Sequence, residues 1–468
     1  MATPTDLPAN GRSAAGTRGA RSRTTMSAPS TAARRTNGAV VAVKNVFVAE
    51  SSTFYTILGV TLFLVVFGVV MVLSSSSVEQ YAATHDFFGA ASRQGLYAVL
   101  GVPLMLIASR LPARFWRRWA MWIVGIGLVV QALVVLTPLG YSIQGNRNWI
   151  KVGSFTAQPS EILKLALVLG IGAIMYVKRD KLDDWKEVFI PIGIASLGSI
   201  GLVLVGGDQG TAMIMMILVF GALYVGGARA KHLLVGVGAI AVMLPFVTMA
   251  SSSRSTRISA WLSGCTDTSQ YQDLCWQPVH GMWALASGGV FGVGLGNSKA
   301  KWSWLPEADN DYIFAIIGEE LGLVGAVVVL GLFVVLAISM IKIIRQSNDP
   351  FVKTVTGGVL AWIIGQALVN IAVVLGLLPV LGVPLPLISA GGSALIMTLV
   401  AIGVVLSFAR ELPAKNQMPT RTDLAARTGR ATRTGSAARS GTDPRTGAAA
   451  QIDPAARTGR PARNGVPR

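Results

Sequence analysis

Apolar and polar positions along the chain fall into long blocks. Apolar runs near 54–73, 95–109, 120–136, 162–177, 188–205, 211–225, 233–249, 312–340, 355–378 and 395–408 are separated by polar segments. A helix needs about 20 apolar residues to cross a bilayer, and these runs approach or exceed that length. The pattern predicts ten transmembrane helices in an all-α, polytopic integral membrane protein. The run that follows Asp311 extends for 29 residues, so it is expected to tilt or to project beyond the bilayer. The alternating ten-residue segments of an outer-membrane barrel are missing.

Basic residues give the runs an orientation. With the N-terminus inside, the inner loops are 110–119, 178–187, 226–232 and 341–353, which hold thirteen Lys and Arg in 40 residues. The opposite segments, 74–94, 137–161, 206–209, 250–311 and 379–392, hold seven in 126. Lys and Arg accumulate on the cytoplasmic side, so both termini are expected in the cytoplasm.

Composition supports the membrane assignment and relocates the charge. Of the 468 residues, 52% are hydrophobic and 13% charged, with a mean hydropathy of +0.57. Soluble domains carry about twice that charge density. The net charge of +18 would suit a nucleic-acid binder, but residues 1–50 contribute +5 of it and residues 410–468 contribute +8. These ends are rich in Ala, Gly, Thr and Pro, and the second repeats Arg-Thr-Gly at 427–429, 433–435, 445–447 and 457–459. They lack the apolar residues to bury a core. The expected organisation is a basic cytoplasmic tail at 1–50, a membrane domain at 51–410, and a second basic tail at 411–468. Such tails suit contact with anionic membrane lipids rather than nucleic acid. No short apolar core lies near residue 1, so a cleavable signal peptide is not expected.

The candidate chemistry gathers in the outer segments. Between Gly145 and Lys164, polar groups crowd the entrance to the fourth run. Pro159 and Ser160 mark a helix start, which places Glu161 and Lys164 on one face. They form either a structural ion pair or part of a site. Arg147 and Lys151 lie outside, against the charge bias; they either meet an anionic ligand or are solvated. Asp208 either caps the sixth run or serves a site. The long outer loop, 250–311, holds both cysteines, Cys265 and Cys275, where a disulfide and two free thiols are both open.

That loop ends in a glycine-rich stretch, then Lys299, Lys301 and the acids Glu307, Asp309 and Asp311, with Glu319 and Glu320 further along. Crowded carboxylates raise one another's proton affinity or share a cation. Asp311 abuts the apolar run Tyr312-Ile-Phe-Ala-Ile, where it can act as a general base or simply cap the helix. Prolines at 379, 384 and 386 exclude a regular helix from the last outer loop, which is expected to line the same cavity. Zinc spacings, a Walker loop and a Gly-x-Ser-x-Gly elbow are all missing.

Together these segments resemble the SEDS family (shape, elongation, division and sporulation) over about residues 50–410. The resemblance rests on Asn148-Trp-Ile to Gln158-Pro-Ser-Glu-Ile-Leu-Lys164, Asp208 to Thr211, and Ser287-Gly-Gly to Gly294-Leu-Gly-Asn-Ser298. It continues through Leu305-Pro-Glu-Ala to Asp311-Tyr-Ile-Phe-Ala315, Gly318-Glu-Glu-Leu-Gly322, and Pro384-Leu-Pro-Leu-Ile-Ser to Gly391-Gly-Ser393. Two places depart from the family pattern: Ala390 stands where an aromatic is usual, and Gly206-Gly207 where Gln-Pro often precedes the aspartate.

The resemblance implies a peptidoglycan glycosyltransferase that polymerises lipid II at the outer face of the bacterial cytoplasmic membrane. It sits closer to the family's division members, hence the septum, than to its elongation members. Asp311 then falls on the family's essential carboxylate. Arg147, Trp149, Lys151, Glu161, Lys164, Lys299, Lys301, Ser389 and Ser393 become candidates for binding lipid II and its pyrophosphate, with Asp208, Glu307 and Asp309 as supporting carboxylates. A class B penicillin-binding transpeptidase and other division-site proteins are the implied partners. A divalent cation, Mg or Mn, is the one cofactor the chemistry invites. A lipid II flippase and a non-catalytic scaffold are the alternatives, but the polar groups gather on the outer side rather than at the midplane, where transporters bind.

Overall fold

A computed structural model describes residues 50–143, 146–153, 155–181, 184–249, 252–265, 274–302 and 304–412. The tails expected at 1–50 and 411–468 lie almost wholly outside the described residues. Twelve α-helices and three short strands make up the described chain. In order, α1 is Ser52–Thr84, α2 Gly89–Arg110, α3 Ala113–Leu136, α4 Pro159–Val177, α5 Trp185–Val205, α6 Gln209–Val225 and α7 Ala230–Met249. Then come α8 (Ser252–Leu262), α9 (Trp276–Gly288), α10 (Ile313–Gln346), α11 (Pro350–Val374) and α12 (Ser393–Glu411).

Each of the ten apolar runs gives rise to one helix, although Tyr312 precedes α10 and residues 375–378 of the ninth run lie beyond the end of α11. Eight, α1–α5 and α10–α12, are long and apolar enough to cross a membrane, and α6 is apolar but only 17 residues long. The run at 233–249 became α7. The two additional helices, α8 and α9, lie in the long loop, where the sequence shows little periodicity.

Local chemistry explains the boundaries. Ser51, Asp184, Asp208 and Asp349 each accept a backbone N–H at the start of the helix they precede, filling donors the helix leaves open. Pro159 and Pro350 occupy first-turn positions where a missing N–H costs nothing. α1 continues past its predicted end at residue 73 to Thr84, and within this extension Ser75 and Ser76 donate back to Val72 O and Ser77 to Ser74 O.

α4, α11 and α12 are the most enclosed spans, while α1, α2, α3, α5 and α10 turn most of their apolar surface outward. α12 packs on α2, α11 on α6 and α3 on α4. Ile194 and Val205 on α5 are largely exposed, as side chains facing lipid would be.

One departure from the all-α expectation concerns the first outer loop. Strands β1 (Tyr141–Ile143), β2 (Asn146–Val152) and β3 (Phe155–Ala157) form an antiparallel sheet, with Lys151 paired to Thr156. Strand alternation puts Trp149 and Lys151 on one face and Asn148 on the other.

Candidate active site

A cleft of about 1890 Å³ opens between β2, the start of α4, the α5–α6 turn, α8, the 307–311 segment and the loop before α12. Eight of the residues singled out from sequence line it: Trp149, Lys151, Glu161, Lys164, Asp208, Glu307, Asp309 and Asp311. From there the cleft runs inward between α5, α6 and α7, past Ile192, Leu197, Met213 and Phe220 to His232 and Leu233.

Asp311 does not cap α10. Tyr312 holds the cap position, and no side chain accepts a hydrogen bond there, so capping by Asp309 or Asp311 is excluded. Instead the segment is gripped by its backbone. Asn370 on α11 donates to Asp311 O (2.7 Å) and Val383 O (2.8 Å). Ser389 Oγ donates to Asn310 O at 2.7 Å, and Ala390 N donates to Asp309 O at 2.9 Å. With the backbone held this way, the carboxylate itself is left without support. Asp311 is 8% exposed, and its Oδ1 has no hydrogen-bond partner among the described residues. Its Oδ2 faces Gly382, whose φ of +67° and lack of a side chain leave room beside it.

A charge so placed is costly, and the proton affinity responds. Burial pushes Asp311 up to about 7, reinforced by Glu307 and Asp208 and opposed by Arg257. Asp309 is pushed up to about 6, again by burial first and then by Glu307 and Glu79. The Tyr312 hydroxyl is raised as well, by burial and by Asp311.

Behind the acids lies a buried polar brace. Lys164 Nζ stands 2.9 Å from Glu161 Oε2, 3.3 Å from Gln366 Oε1 and 4.7 Å from the Trp362 ring centre. Gln366 also accepts from Trp362 Nε1 and donates to Pro384 O, so α4, α11 and the last outer loop are tied together. Gln158 links two more pieces: its Nε2 donates to Asp208 Oδ2 (2.6 Å) and its backbone N donates to Ser393 Oγ (3.1 Å). Asp208 therefore caps α6 and holds the mouth of α4. Gly206 has a steric reason to depart from the family pattern, since a Cβ there would sit 1.9 Å from Asn148 Oδ1.

The chain as a whole has relatives in sequence and fold. The profile of the FtsW/RodA/SpoVE family, described as cell cycle protein, matches residues 55–413. The chain belongs to this family. The probable peptidoglycan glycosyltransferase FtsW of Mycobacterium tuberculosis is 36% identical over 362 residues, covering 77% of this chain and 68% of that protein. Stage V sporulation protein E of Bacillus subtilis is 35% identical over 354 residues, 75% of this chain and 95% of its own. Among solved structures, one from a study of polymerization and crosslinking by a peptidoglycan synthase complex aligns with a TM-score of 0.63 at 25% identity. It covers 78% of this chain and 98% of that one. Thermus thermophilus RodA, a rod shape determining protein, aligns at 0.57 and 25%, with the same coverage.

Within this family fold, some sequence candidates fall outside the cleft. Lys299 and Lys301 join Glu319 and Glu320 instead: Lys301 Nζ lies 3.6 Å from Glu320 Oε1, and Lys299 N donates to Glu319 Oε1 at 2.9 Å. As candidates for the pyrophosphate they are expected in the cleft, but neither lines it. Arg147 is spent on Thr137 O, and its own N–H on Gly206 O. The Ser389 hydroxyl is occupied by Asn310 O and Leu385 N, and that of Ser393 by Gln158 N. Cys265 and Cys275 are bonded, with Cα atoms 5.6 Å apart, joining the end of α8 to the start of α9.

Sequence reasoning missed Gln366, Asn370 and Arg257, and it names Gln158 only as part of a motif, without a role. For a divalent cation, no three His, Cys, Asp or Glu side chains among the described residues come together as a donor set. The acids of the cleft do not form such a cage.

Proposed function

We propose that the chain is a peptidoglycan glycosyltransferase that polymerises lipid II in division wall synthesis, with Asp311 as its base. The observation that carries this is the unpartnered, buried Asp311 carboxylate, raised to about 7, in a cleft that also holds cations and a long apolar extension. A general base works best when its proton affinity lies near the working pH. Asp311 takes the proton of the acceptor sugar hydroxyl as that oxygen attacks the anomeric carbon of the donor. The carbon–oxygen bond to the diphosphate breaks, and the departing charge meets the cations of the cleft. The apolar extension between α5, α6 and α7 suits the polyprenyl chain.

The names of the relatives support the reaction and the division role. The synthase-complex study supports a crosslinking partner, read here as a class B penicillin-binding transpeptidase. The excess of Lys and Arg in the opposite loops supports an outward-facing cleft, and so does a disulfide beside it, since such bonds persist outside the cytoplasm. Purified protein supplied with labelled lipid II tests the proposal. Glycan chains are expected. Scrambling of lipid II without polymer would make the protein a flippase, and neither activity would leave a scaffold.

A further inference from the structure

One wall of the cleft is closed by α8, and this helix carries a cation. Arg257, midway along α8, lines the cleft with Glu307, Asp309 and Asp311. Its side chain is exposed, and its charge opposes protonation of Asp311. Two other cations of the cleft are engaged, Lys164 with Glu161 and Gln366 and Arg93 with Gln80 Oε1 at 3.4 Å, while Lys151 rests only against the Tyr141 ring.

α8 is anchored. One turn beyond Arg257, Trp261 Nε1 donates to Gly376 O at 2.9 Å, Ala260 is buried, and Cys265 is bonded to Cys275. An exposed arginine on a tethered helix at the wall of an acid-lined cleft is placed to meet an anion that enters it. A diphosphate entering this cleft meets Asp208, Glu307, Asp309 and Asp311, all of which repel it. A guanidinium overcomes that repulsion best, because its planar fork binds two phosphate oxygens at once.

We infer that Arg257 grips the diphosphate of the lipid-linked sugar in the cleft, with Lys151 on β2 as the second cation. The identity of that substrate rests on the polymerase reading above. The assignment has a mechanistic consequence. Free Arg257 holds down the proton affinity of Asp311 against burial, Glu307, Asp208 and Asp309. A bound diphosphate neutralises Arg257, so the base strengthens as the substrate arrives.

The decisive measurement is calorimetric titration of a short polyprenyl diphosphate into the full chain in neutral-lipid nanodiscs. Arg257→Gln should weaken binding at least about tenfold, the scale of a charge-assisted contact, while Arg257→Lys retains part of it. Thermal unfolding of both variants excludes misfolding. Equal affinity in wild type and a folded Arg257→Gln protein would overturn the assignment. So would a variant that loses only its response to added phosphatidylglycerol, which would make Arg257 a contact for membrane headgroups.

Kinetics add a second readout. In kcat/KM, the acid limb of Arg257→Gln should move to higher pH, because the free enzyme has lost the cation that opposes protonation of Asp311. In kcat it should move less, since the bound substrate already neutralises Arg257. Equal movement in both would remove the coupling. A wild type that binds the diphosphate but makes no glycan would sink the polymerase reading while leaving Arg257 as a diphosphate ligand.

Discussion

Two groups of carboxylates stand about two helical turns apart around the start of α10, and they have opposite fates. Asp309 and Asp311 lie where donors are scarce, and Asp311 keeps an oxygen with no partner among the described residues. Glu319 and Glu320 are buried even more deeply, yet they are surrounded by donors. Glu319 accepts from Ser298 Oγ (2.5 Å), Lys299 N (2.9 Å) and Ala300 N (3.4 Å). Glu320 accepts from Ser74 Oγ (2.7 Å) and Ser298 N (3.4 Å) and faces Lys301 Nζ.

The backbone builds this second site. Gly322, at φ +68°, breaks α10, and the glycine-rich loop pairs with the opened turn. Val293 N and Gly294 N donate to the carbonyls of Glu319 and Glu320, while Leu323 N and Val324 N donate to Gly289 O and Val290 O. A Cβ on Gly292 would lie 2.2 Å from Glu320 O, so only glycine allows the approach. An acid near the membrane is therefore not reactive merely because it is buried. Its donors decide: satisfied, it fastens the fold; unsatisfied, it is left able to take a proton.

The largest test of this contrast is Asp311→Asn. The amide keeps the shape but cannot accept the proton, so glycan-chain formation should fall at least about a hundredfold. Stability should move the other way. Because the proton affinity of Asp311 is raised on folding, its contribution to stability is fully present below its ordinary value and is lost as pH rises through about 7. The variant should therefore unfold at a higher temperature than wild type at pH 8 and at a similar one near pH 4. Near-normal polymerisation would return Asp311 to a structural role.

Glu320→Gln should show the opposite pattern. It leaves Lys301 a buried charge without its counterion, a change that typically costs about 3–5 kcal/mol, so thermal stability should collapse. A folded, stable, inactive Glu320→Gln would erase the distinction between the two groups.

Smaller effects come from pH. Polymerisation should fall about tenfold per unit as the medium is acidified below the value of about 7 held by Asp311. Removing a neighbouring negative charge eases that group's ionisation, so the limb should shift to lower pH. Glu307 raises Asp311 more than Asp309 does, so Glu307→Gln should shift it further than Asp309→Asn. The reverse order would mean that a different acid carries the limb.

What the sequence made legible follows from range. Apolar runs are local, and each became a helix; the charge at the edge of the eighth run singled out Asp311 for the same reason. The sheet was missed although Trp149 and Lys151 alternate with Asn148 and Ile150, a period-two signal hidden in a segment read as a loop. Gln366 and Asn370 sit inside an apolar run, where a polar side chain carries no local mark of its partner. Lys164 is 202 residues from Gln366, and Asp311 is 59 from Asn370. Lys299 and Lys301 are candidates for the pyrophosphate from sequence, and the turn at Gly322 brings Lys299 N to Glu319 and the Lys301 ammonium to Glu320, contacts that their position in the chain does not reveal.

Ser389 gives the smallest and most discriminating effect. From sequence it was a candidate for touching lipid II, but its hydroxyl donates to Asn310 O and accepts from Leu385 N, and Gln94 Nε2 donates to its carbonyl. It therefore belongs with the satisfied groups, although it lies against the unsatisfied one. Ser389→Ala leaves Leu385 N and Asn310 O short of a partner, a loss worth about 1–3 kcal/mol in thermal stability. Activity should fall only as far as the Asp309–Asp311 backbone loosens. That change should appear in kcat, because the groups that bind the diphosphate and the lipid are untouched. A rise in KM at unchanged kcat and unchanged stability would instead make Ser389 a substrate ligand, and would show that a side chain with every bond filled in the free protein can still exchange one for substrate.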